Sequence, residues 1–301
     1  MKIILPVILL HISFTLFAQN SKGVEIVYGH KDGLALTMIM LKPTANDKGK
    51  AIINVISGNW YSGYGQAIRM EPQMSTFLDA GYTVFNVMHG SQPRYNITEA
   101  VNDIKRSVRY IRSNAAVLKI DSVHIGITGR SSGGHLALMV ATTGTDGDIN
   151  SIDPINKVSD RIQAVAVFYP PTDLLNFGGP GVTAVNADAL LKQFGVTAAF
   201  DFKKWDPRKQ VYEYASTEER MKIAREMSPV FQVTADDAPA LLIHGDADKV
   251  VPIQQSEIML AAYQNVKVPT SLVIKKGGGH GWINAEAETK QFVQWFDKYL
   301  N

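Results

Sequence analysis

The stretch Gly126-Ile-Thr-Gly-Arg-Ser-Ser-Gly-Gly134 lies where a predicted strand meets a predicted helix. The apolar run Val123–Thr128 is typical of a buried strand, and His135–Ala141 favours a helix. Residues 129–133 fit the pattern G-x-S-x-G. Between a strand and a helix, this pattern predicts a nucleophile elbow, a tight turn that presents a serine hydroxyl at the end of the strand.

Ser131 is the expected nucleophile of this elbow. A serine there adopts a strained backbone, and small residues two positions before and after it make the crossing of strand and helix possible. Gly129 and Gly133 hold those positions around Ser131. Ser132 is the rival, but Arg130 stands two positions before it. The N–H groups that begin the helix should point to where negative charge develops.

The composition describes one large globular α/β domain. The chain has 301 residues, of which 46% are hydrophobic and 19% are charged. A net charge of +2 without a Lys/Arg stripe gives no electrostatic footprint for nucleic acid. The absence of cysteine excludes disulfides, thiolate metal sites and thiol catalysis.

The N-terminus is typical of a secretory signal peptide. Met1-Lys2 provides the charged start, and an apolar stretch that is short for a membrane span runs to Ala18. The polar residues 19–22 follow, so we expect cleavage near Ala18. Residues 19–301 would then form a secreted or periplasmic protein without stable membrane association. An uncleaved anchor is the alternative.

Apolar runs alternate with helical patterns along the rest of the chain. Asp32-Gly33 separates two of these runs and predicts a hairpin at the sheet edge. The predicted strands are 24–28, 34–41, 51–56, 82–88, 123–128, 161–169, 238–244 and 270–275. The predicted helices are 70–80, 99–114 with Thr98 as N-cap, 135–141, 254–263 and 286–299. This alternation predicts a mainly parallel sheet with helices on both faces.

Residues 174–226 break the alternation and are interpreted as a cap insertion. The segment begins with Gly178-Gly-Pro-Gly181 and has helical patterns near Ala187–Phe194 and Thr217–Glu226. Its aromatic side chains need a surface to pack against, which favours a cap over the strand ends rather than a solvated excursion. These aromatic residues are Phe200, Phe202, Trp205, Tyr212 and Tyr214.

A serine nucleophile needs a base, and the base needs an orienting carboxylate. Of the seven histidines, His280 is the expected base, because it lies among glycines on a loop after the last strand. His89, at a strand end, is a second candidate. His135 is too close to the elbow in sequence to fold back as its base, and His244 is expected to be structural.

Two aspartates compete for the role of the acid. Asp246 and Asp248 both follow the strand 238–244. They lie at the carboxyl end of that strand, where the sites of open α/β sheets gather. Physical reasoning from the residues leaves the choice between them open.

Taken together, these motifs resemble those of α/β-hydrolase fold esterases. The most similar branch contains secreted carboxylesterases and feruloyl or acetylxylan-type esterases, relatives of prolyl oligopeptidase catalytic domains. The resemblance covers the chain from about residue 28 and rests on Gly129–Gly134, Ser228-Pro-Val, Ala238–Pro252 and Gly279-His-Gly281. It implies the α/β-hydrolase fold, with the triad in the order serine, aspartate, histidine. It also implies that Asp248 is the triad acid and that Asp246 holds the loop.

One loop departs from the family pattern. The family usually carries His-Gly-Gly-Gly-Trp after the strand 51–56, where this chain has Ser57-Gly-Asn-Trp-Tyr61. We expect the loop to supply an oxyanion donor nonetheless, the backbone N–H of Asn59 or Trp60, alongside that of Ser132. One such donor contributes about 3 kcal/mol of transition-state stabilisation.

The sequence therefore predicts a secreted serine hydrolase that cleaves carboxylic esters through an acyl-enzyme, without a metal or an organic cofactor. Ser131 would attack the carbonyl, His280 would transfer the proton, and Asp248 would orient His280. Resemblance and secretion favour a carbohydrate-linked acyl group, such as acetyl or feruloyl. The alternatives are an exopeptidase of the prolyl oligopeptidase type and a non-catalytic glycan-binding protein on a hydrolase scaffold.

Overall fold

The structure, a computed structural model, describes residues 22–185, 192 and 195–301. The predicted signal peptide, residues 1–18, therefore lies outside the described residues, as does most of the predicted helix 187–194. Within the described part of the chain, no helix has the length and apolar character needed to cross a membrane.

A twisted, mainly parallel sheet occupies the centre of the molecule. The strands are β1 (Val24–Lys31), β2 (Leu34–Leu41), β3 (Ala51–Val55), β4 (Thr83–Val87), β5 (Ile125–Arg130), β6 (Ala164–Phe168), β7 (Lys203–Asp206), β8 (Val211–Tyr214), β9 (Ala240–Gly245) and β10 (Thr270–Lys275). Eight of them form one sheet in the order β1-β2-β4-β3-β5-β6-β9-β10. Only the β1–β2 and β2–β4 pairs of this sheet are antiparallel. The predicted parallel sheet is confirmed.

Helices cover both faces of this sheet. They are α1 (Tyr64–Met70), α2 (Ser75–Asp79), α3 (Ile97–Ser113), α4 (Ala115–Leu118), α5 (Ser132–Thr142), α6 (Thr217–Glu226), α7 (Gln254–Asn265) and α8 (Glu286–Tyr299). Neighbouring residues of β3 point to opposite faces, as strand geometry requires. Ile53 packs in a core that includes Ile104 of α3, while Ile52 packs in a second core that includes Phe296 of α8.

Three local predictions can be compared with these elements. The edge hairpin is confirmed, with Asp32 and Gly33 at φ 48° and 77° in a two-residue turn. The helix predicted for 70–80 is confirmed only in part, because a 3-10 turn that contains Pro72 occupies Glu71–Met74 and the α-helix begins at Ser75. The N-cap of α3 is Asn96 rather than Thr98. The Asn96 side chain accepts the N–H groups of Thr98 and Glu99 in a capping box.

The segment 174–226 packs on the core only in part. Its buried apolar residues, which join the same core as α3 and α5, include Leu174, Val185, Val196, Phe200, Phe202 and Ala224. The helix predicted at 217–226 is present as α6. The antiparallel ribbon β7–β8 was not predicted, and its aromatic residues Trp205, Tyr212 and Tyr214 are more than half exposed. The expectation that the aromatic side chains pack against the rest of the protein is therefore wrong for these three residues. The role of the segment as a cap remains a prediction.

Candidate active site

The predicted elbow is a strained turn between β5 and α5. Ser131 has φ 52° and ψ −124°, and its N–H donates to Phe168 O at 3.0 Å. A Cβ on Gly129 would lie 2.3 Å from Gly133 O, and one on Gly133 would lie 2.7 Å from Val55 O. Both glycines are therefore required by the close backbone crossing that holds Ser131 at the start of the helix.

The structure brings Ser131, His280 and Asp248 into one hydrogen-bonded line. His280 Nε2 lies 2.9 Å from Ser131 Oγ, and His280 Nδ1 lies 2.8 Å from Asp248 Oδ2. An ionised carboxylate only accepts hydrogen bonds, so it assigns the imidazole proton to Nδ1. The lone pair of Nε2 then faces the serine hydroxyl, the arrangement that a general base requires.

Asp248 is held as a carboxylate by the groups around it. Burial on its own would raise the pKa of Asp248, but the neighbouring His244 imidazole, whose Nε2 lies 3.5 Å from Oδ2, and hydrogen bonds from His280 and from two backbone N–H groups hold it well below its usual range. The backbone donors are Val250 and Val251, at 2.8 and 2.9 Å from Oδ1. The side chain is fully buried. Asp248 is thus fixed in position, with Oδ2 directed to the imidazole.

Two other candidate residues make structural contacts near this line. Asp246 accepts the N–H of Gly277 at 2.6 Å and so fixes the start of the loop that carries the imidazole. His244 is buried, with Nε2 donating to Val251 O at 2.8 Å and Nδ1 accepting from Ser256 Oγ at 2.7 Å. His244 has the satisfied environment expected of a structural histidine.

The loop after β3 forms a two-residue turn without glycine at its centre. Gly58 and Tyr61 exchange both backbone hydrogen bonds at 2.9 Å. Asn59 and Trp60 both have φ 53°, as in a type I′ turn. Both residues line a cavity together with Ser132 and the nucleophile. The three predicted oxyanion residues therefore lie at one place in the fold, and their role as donors remains a prediction.

A residue that the sequence did not single out, Gln92, holds this turn. Its Nε2 donates to Asn59 O at 2.8 Å and to Gly195 O at 2.9 Å, and its Oε1 accepts the N–H of Ala199 at 3.2 Å. The Asn59 carbonyl and the Trp60 N–H belong to the same planar peptide. Gln92 therefore also fixes the direction of that N–H.

The second candidate base, His89, is hydrogen-bonded to Ser57 and not to the nucleophile. Its Nδ1 donates to Gly90 O at 2.7 Å, so its Nε2 accepts from Ser57 Oγ at 3.0 Å. Ser57 Oγ in turn lies 3.1 Å from Ser132 Oγ. Burial lowers the pKa of His89 to about 4. His89 is therefore a neutral acceptor in a polar chain beneath the elbow.

His135 connects the turn after β3 to the segment that follows α6. Trp60 Nε1 donates to His135 Nδ1 at 3.3 Å, and His135 Nε2 donates to Met227 O at 2.7 Å. Burial lowers the pKa of His135 to about 4. Phe200 packs edge-on against the Trp60 ring at 5.0 Å. The sequence indicated none of these partners, since they are distant along the chain.

Two cavities meet at Ser131. The larger, about 640 Å³, is lined by residues that include Asn59, Arg69, Arg130, Ser131, Tyr169 and His280. The smaller, about 50 Å³, is mostly apolar and is lined by Asn59, Trp60, Ser131, Ser132, Pro171, Leu174, Phe177, Ala184, Val196, Phe200, Val250 and Val251. Ser131 is common to both cavities, whereas the imidazole of His280 lines only the larger one.

Comparison with known proteins assigns the chain to a family. The BD-FAE family model matches residues 38–263. The chain belongs to the BD-FAE family. Among curated relatives of this BD-FAE chain, esterase LipQ of Mycobacterium tuberculosis is 27% identical over 84% of the chain and 54% of the relative. The acetylxylan esterase of Xylanibacter ruminicola is 25% identical, over 91% of this chain and 49% of the relative. The chain spans about half the length of the curated relatives it matches.

Solved structures confirm the fold of this BD-FAE chain. A truncated form of a carbohydrate esterase from gut microbiota superposes with a TM-score of 0.70 at 28% identity, covering 87% of this chain and 90% of that one. An acetyl ester-xyloside bifunctional hydrolase from Caldicellulosiruptor lactoaceticus superposes with a TM-score of 0.69 at 21% identity. This match covers 93% of this chain and 95% of that one. The α/β-hydrolase fold and the resemblance to esterases of that fold are confirmed.

Proposed function

We propose that this chain is a secreted serine hydrolase that cleaves carboxylic esters through an acyl-enzyme. The observation that carries the proposal is the line from Asp248 through His280 to Ser131, at the strained turn of the elbow. The names of the relatives, which include esterases, support the reaction class. The signal-peptide pattern supports secretion to the periplasm or the medium.

The proposed reaction has two steps that use the same residues. Ser131 Oγ attacks the ester carbonyl while its proton passes to His280 Nε2, and Asp248 stabilises the resulting imidazolium. The N–H groups of Ser132 and of Asn59 or Trp60 bind the oxyanion. His280 then gives its proton to the leaving alcohol. A water molecule attacks the serine ester in the second step and restores the enzyme.

The proton transfer assigns the two cavities to the two halves of the ester. The leaving alcohol must lie next to His280, because this residue protonates it. The alcohol therefore occupies the larger cavity, and the acyl group occupies the smaller one, which His280 does not line. A volume of about 50 Å³ suits a short acyl chain such as acetyl, and a feruloyl group is too large for it. We propose a short acyl group on a carbohydrate as the substrate class.

Labelling with a fluorophosphonate, read by intact mass, tests the nucleophile. The wild-type protein should gain one adduct, and Ser131→Ala should abolish it. Ser132→Ala should keep the adduct, because the Ser132 hydroxyl is bonded to Ser57 and not to the base. A folded wild-type protein that takes no adduct would contradict the hydrolase proposal and favour glycan binding. Activity on aminoacyl nitroanilides but not on aryl esters would favour the exopeptidase.

A series of 4-nitrophenyl esters tests the size of the acyl group. We expect kcat/KM to fall from acetate to octanoate, and feruloyl esters to be poor substrates. Phe177→Ala should shift the preference to longer chains, because Phe177 lines the smaller cavity. The matched control is Leu175→Ala, which removes a partly buried side chain nearby that does not line the cavity. A preference for octanoate in the wild-type protein would exclude the short-acyl assignment.

A further inference from the structure

The larger cavity, assigned above to the alcohol, is lined by positive charge. Two arginines, Arg69 and Arg130, contribute to its wall, and Arg130 also lines a neighbouring cavity of about 360 Å³ that includes Glu286. Among the described residues that line the larger cavity there is no aspartate or glutamate. Neutral polar residues, among them Asn59, Gln66 and Gln73, also line it. An alcohol that enters this cavity therefore meets two cations and several neutral hydrogen-bonding groups.

Arg130 is fixed in place beside the nucleophile. It directly precedes Ser131, so the two Cα atoms are about 3.8 Å apart. Its guanidinium lies over the Phe168 ring, 4.8 Å from the centroid, and interacts with the Tyr169 side chain. A guanidinium carries five N–H donors, so these two contacts leave other N–H groups for a ligand.

Neither arginine is neutralised by a carboxylate within the described residues. Four other arginines, Arg94, Arg106, Arg109 and Arg161, form ion pairs with aspartates. Arg69 and Arg130 form none, although each lines the cavity wall. Arg69 lies on the exposed side of α1, one turn after Gly65. Two arginines without a carboxylate partner therefore lie on the alcohol side of Ser131.

We infer that the ester's alcohol is a sugar that carries a carboxylate, a uronic acid, with Arg130 and Arg69 as its counter-ions. A guanidinium edge matches the two oxygens of a carboxylate, and such pairs are stronger than neutral hydrogen bonds. The asparagine and glutamine side chains would bind the remaining sugar hydroxyls. This inference rests on the proposed hydrolase function and specifies the alcohol half of its substrate.

The test compares two substrates that differ only in charge. Mono-O-acetylated methyl glucuronoside and the matching glucuronamide, prepared as the same mixture of positional isomers, are hydrolysed side by side. We expect wild-type kcat/KM to favour the uronate by about tenfold at low salt, and this ratio to shrink in 0.5 M NaCl. Arg130→Gln and Arg69→Gln should each lower the ratio several-fold. Arg208→Gln, on the exposed β7–β8 turn, removes the same charge elsewhere and should keep the wild-type ratio.

Failure of this inference differs from failure of the hydrolase proposal. Equal turnover of both esters by the wild-type protein would overturn the inference alone, as would an unchanged ratio in Arg130→Gln. If neither ester is cleaved and no fluorophosphonate adduct forms, the hydrolase proposal fails. Ligand-observed NMR with methyl glucuronoside and its amide then tests the site without catalysis. Equal binding of the two compounds to Ser131→Ala would overturn the uronate site.

Discussion

A hydrogen bond of 2.8 Å joins His280 Nδ1 to Asp248 Oδ2, while the nearby Asp246 accepts a backbone N–H instead. This difference distinguishes the two aspartates, between which the sequence alone left the choice of the acid open. The other oxygen of Asp248 accepts two backbone N–H groups, so the carboxylate cannot rotate without breaking them. The structure thus favours the acid that family resemblance implied.

Asp248→Asn should lower kcat by a factor on the order of 10³ to 10⁴. The backbone donors at Val250 and Val251 would keep the amide oxygen at the Oδ1 position. The amide NH₂ would then face His280 Nδ1 and force the imidazole proton to Nε2, where it blocks acceptance from Ser131. Steady-state hydrolysis of 4-nitrophenyl acetate measures this loss.

Asp246→Asn is the matched control for this prediction. It changes the charge of a neighbouring aspartate, and its side chain is bonded to Gly277 rather than to His280. We expect a loss of at most about tenfold, because the loop is loosened but the base keeps its orientation. If the two variants lose activity equally, the assignment of Asp248 as the orienting acid is wrong.

The parts of this fold that could be predicted from sequence are those set by local sterics and periodicity. Gly129 marks the elbow because a side chain there would collide with the Gly133 backbone, only four residues along the chain. Gly133 is indicated by the G-x-S-x-G pattern, although its own close contact is with Val55 O, far away in the sequence. The apolar runs locate the buried strands because their pattern is also local. The N-cap at Asn96 was missed because Thr98 is also a good capping residue, and propensity alone does not choose between them.

The parts that could not be predicted depend on partners far apart in the chain. Gln92 is a polar residue in a loop, and nothing near it indicates that it holds Asn59 and the segment 195–199. His89 and His135 each accept a hydrogen bond from a donor far away in the chain, Ser57 and Trp60, and nothing local indicates either donor. The β7–β8 ribbon was not predicted, because its three aromatic residues were expected to pack in a core, whereas all three are exposed.

Gln92→Ala should lower kcat by a factor on the order of ten or more, with a smaller change in KM. The substitution removes the donor that orients the Asn59–Trp60 peptide, and a misdirected oxyanion donor weakens binding of the transition state more than that of the substrate. Steady-state kinetics on an acetyl ester give both constants. Gln232→Ala, which removes a surface glutamine bonded to Arg225 O, is the control. A kcat within about twofold of wild type would remove Gln92 from the positioning role.

Ser57→Ala should lower the free energy of unfolding by about 1–3 kcal/mol, because it leaves the buried Nε2 of His89 without a donor. Urea unfolding measures the loss. A double-mutant cycle with His89→Leu separates this hydrogen bond from the other effects of each substitution. We expect a coupling of about 1 kcal/mol or more between the two positions. Additive effects would show that the Ser57–His89 contact does not stabilise the fold.

The stability of the protein should decrease between about pH 6.5 and pH 4. Burial lowers the pKa of His89 and of His135 to about 4, while an unfolded histidine titrates near 6.5. In this interval the unfolded chain binds protons that the folded chain does not, so the free energy of unfolding falls as the pH falls. Each histidine contributes about 3 kcal/mol to the decrease. The contribution of Asp248, whose pKa is lowered, is lost only below about pH 4.

Urea unfolding at pH 7, 6 and 5 measures this dependence. His135→Gln should reduce the dependence of the unfolding free energy on pH by the contribution of one histidine, and His89→Gln should do the same. The double variant should lose the contributions of both histidines to this pH dependence. A wild-type protein whose unfolding free energy does not change over this interval would contradict the burial of neutral imidazoles at these two positions.

Gly133→Ala should lower the free energy of unfolding by about 1–3 kcal/mol, although alanine is the better helix former. The new Cβ would lie 2.7 Å from Val55 O, so β3 or α5 must move. Gly65→Ala is a matched control, because both glycines are the second residue of their helices. At Gly65 the new Cβ meets only the flexible end of Arg69, at 3.4 Å, and we expect a gain of up to about 1 kcal/mol. Opposite signs in thermal or urea unfolding would confirm that contact with β3, and not helix propensity, determines the residue at position 133. A stabilising Gly133→Ala would contradict the close crossing at the elbow.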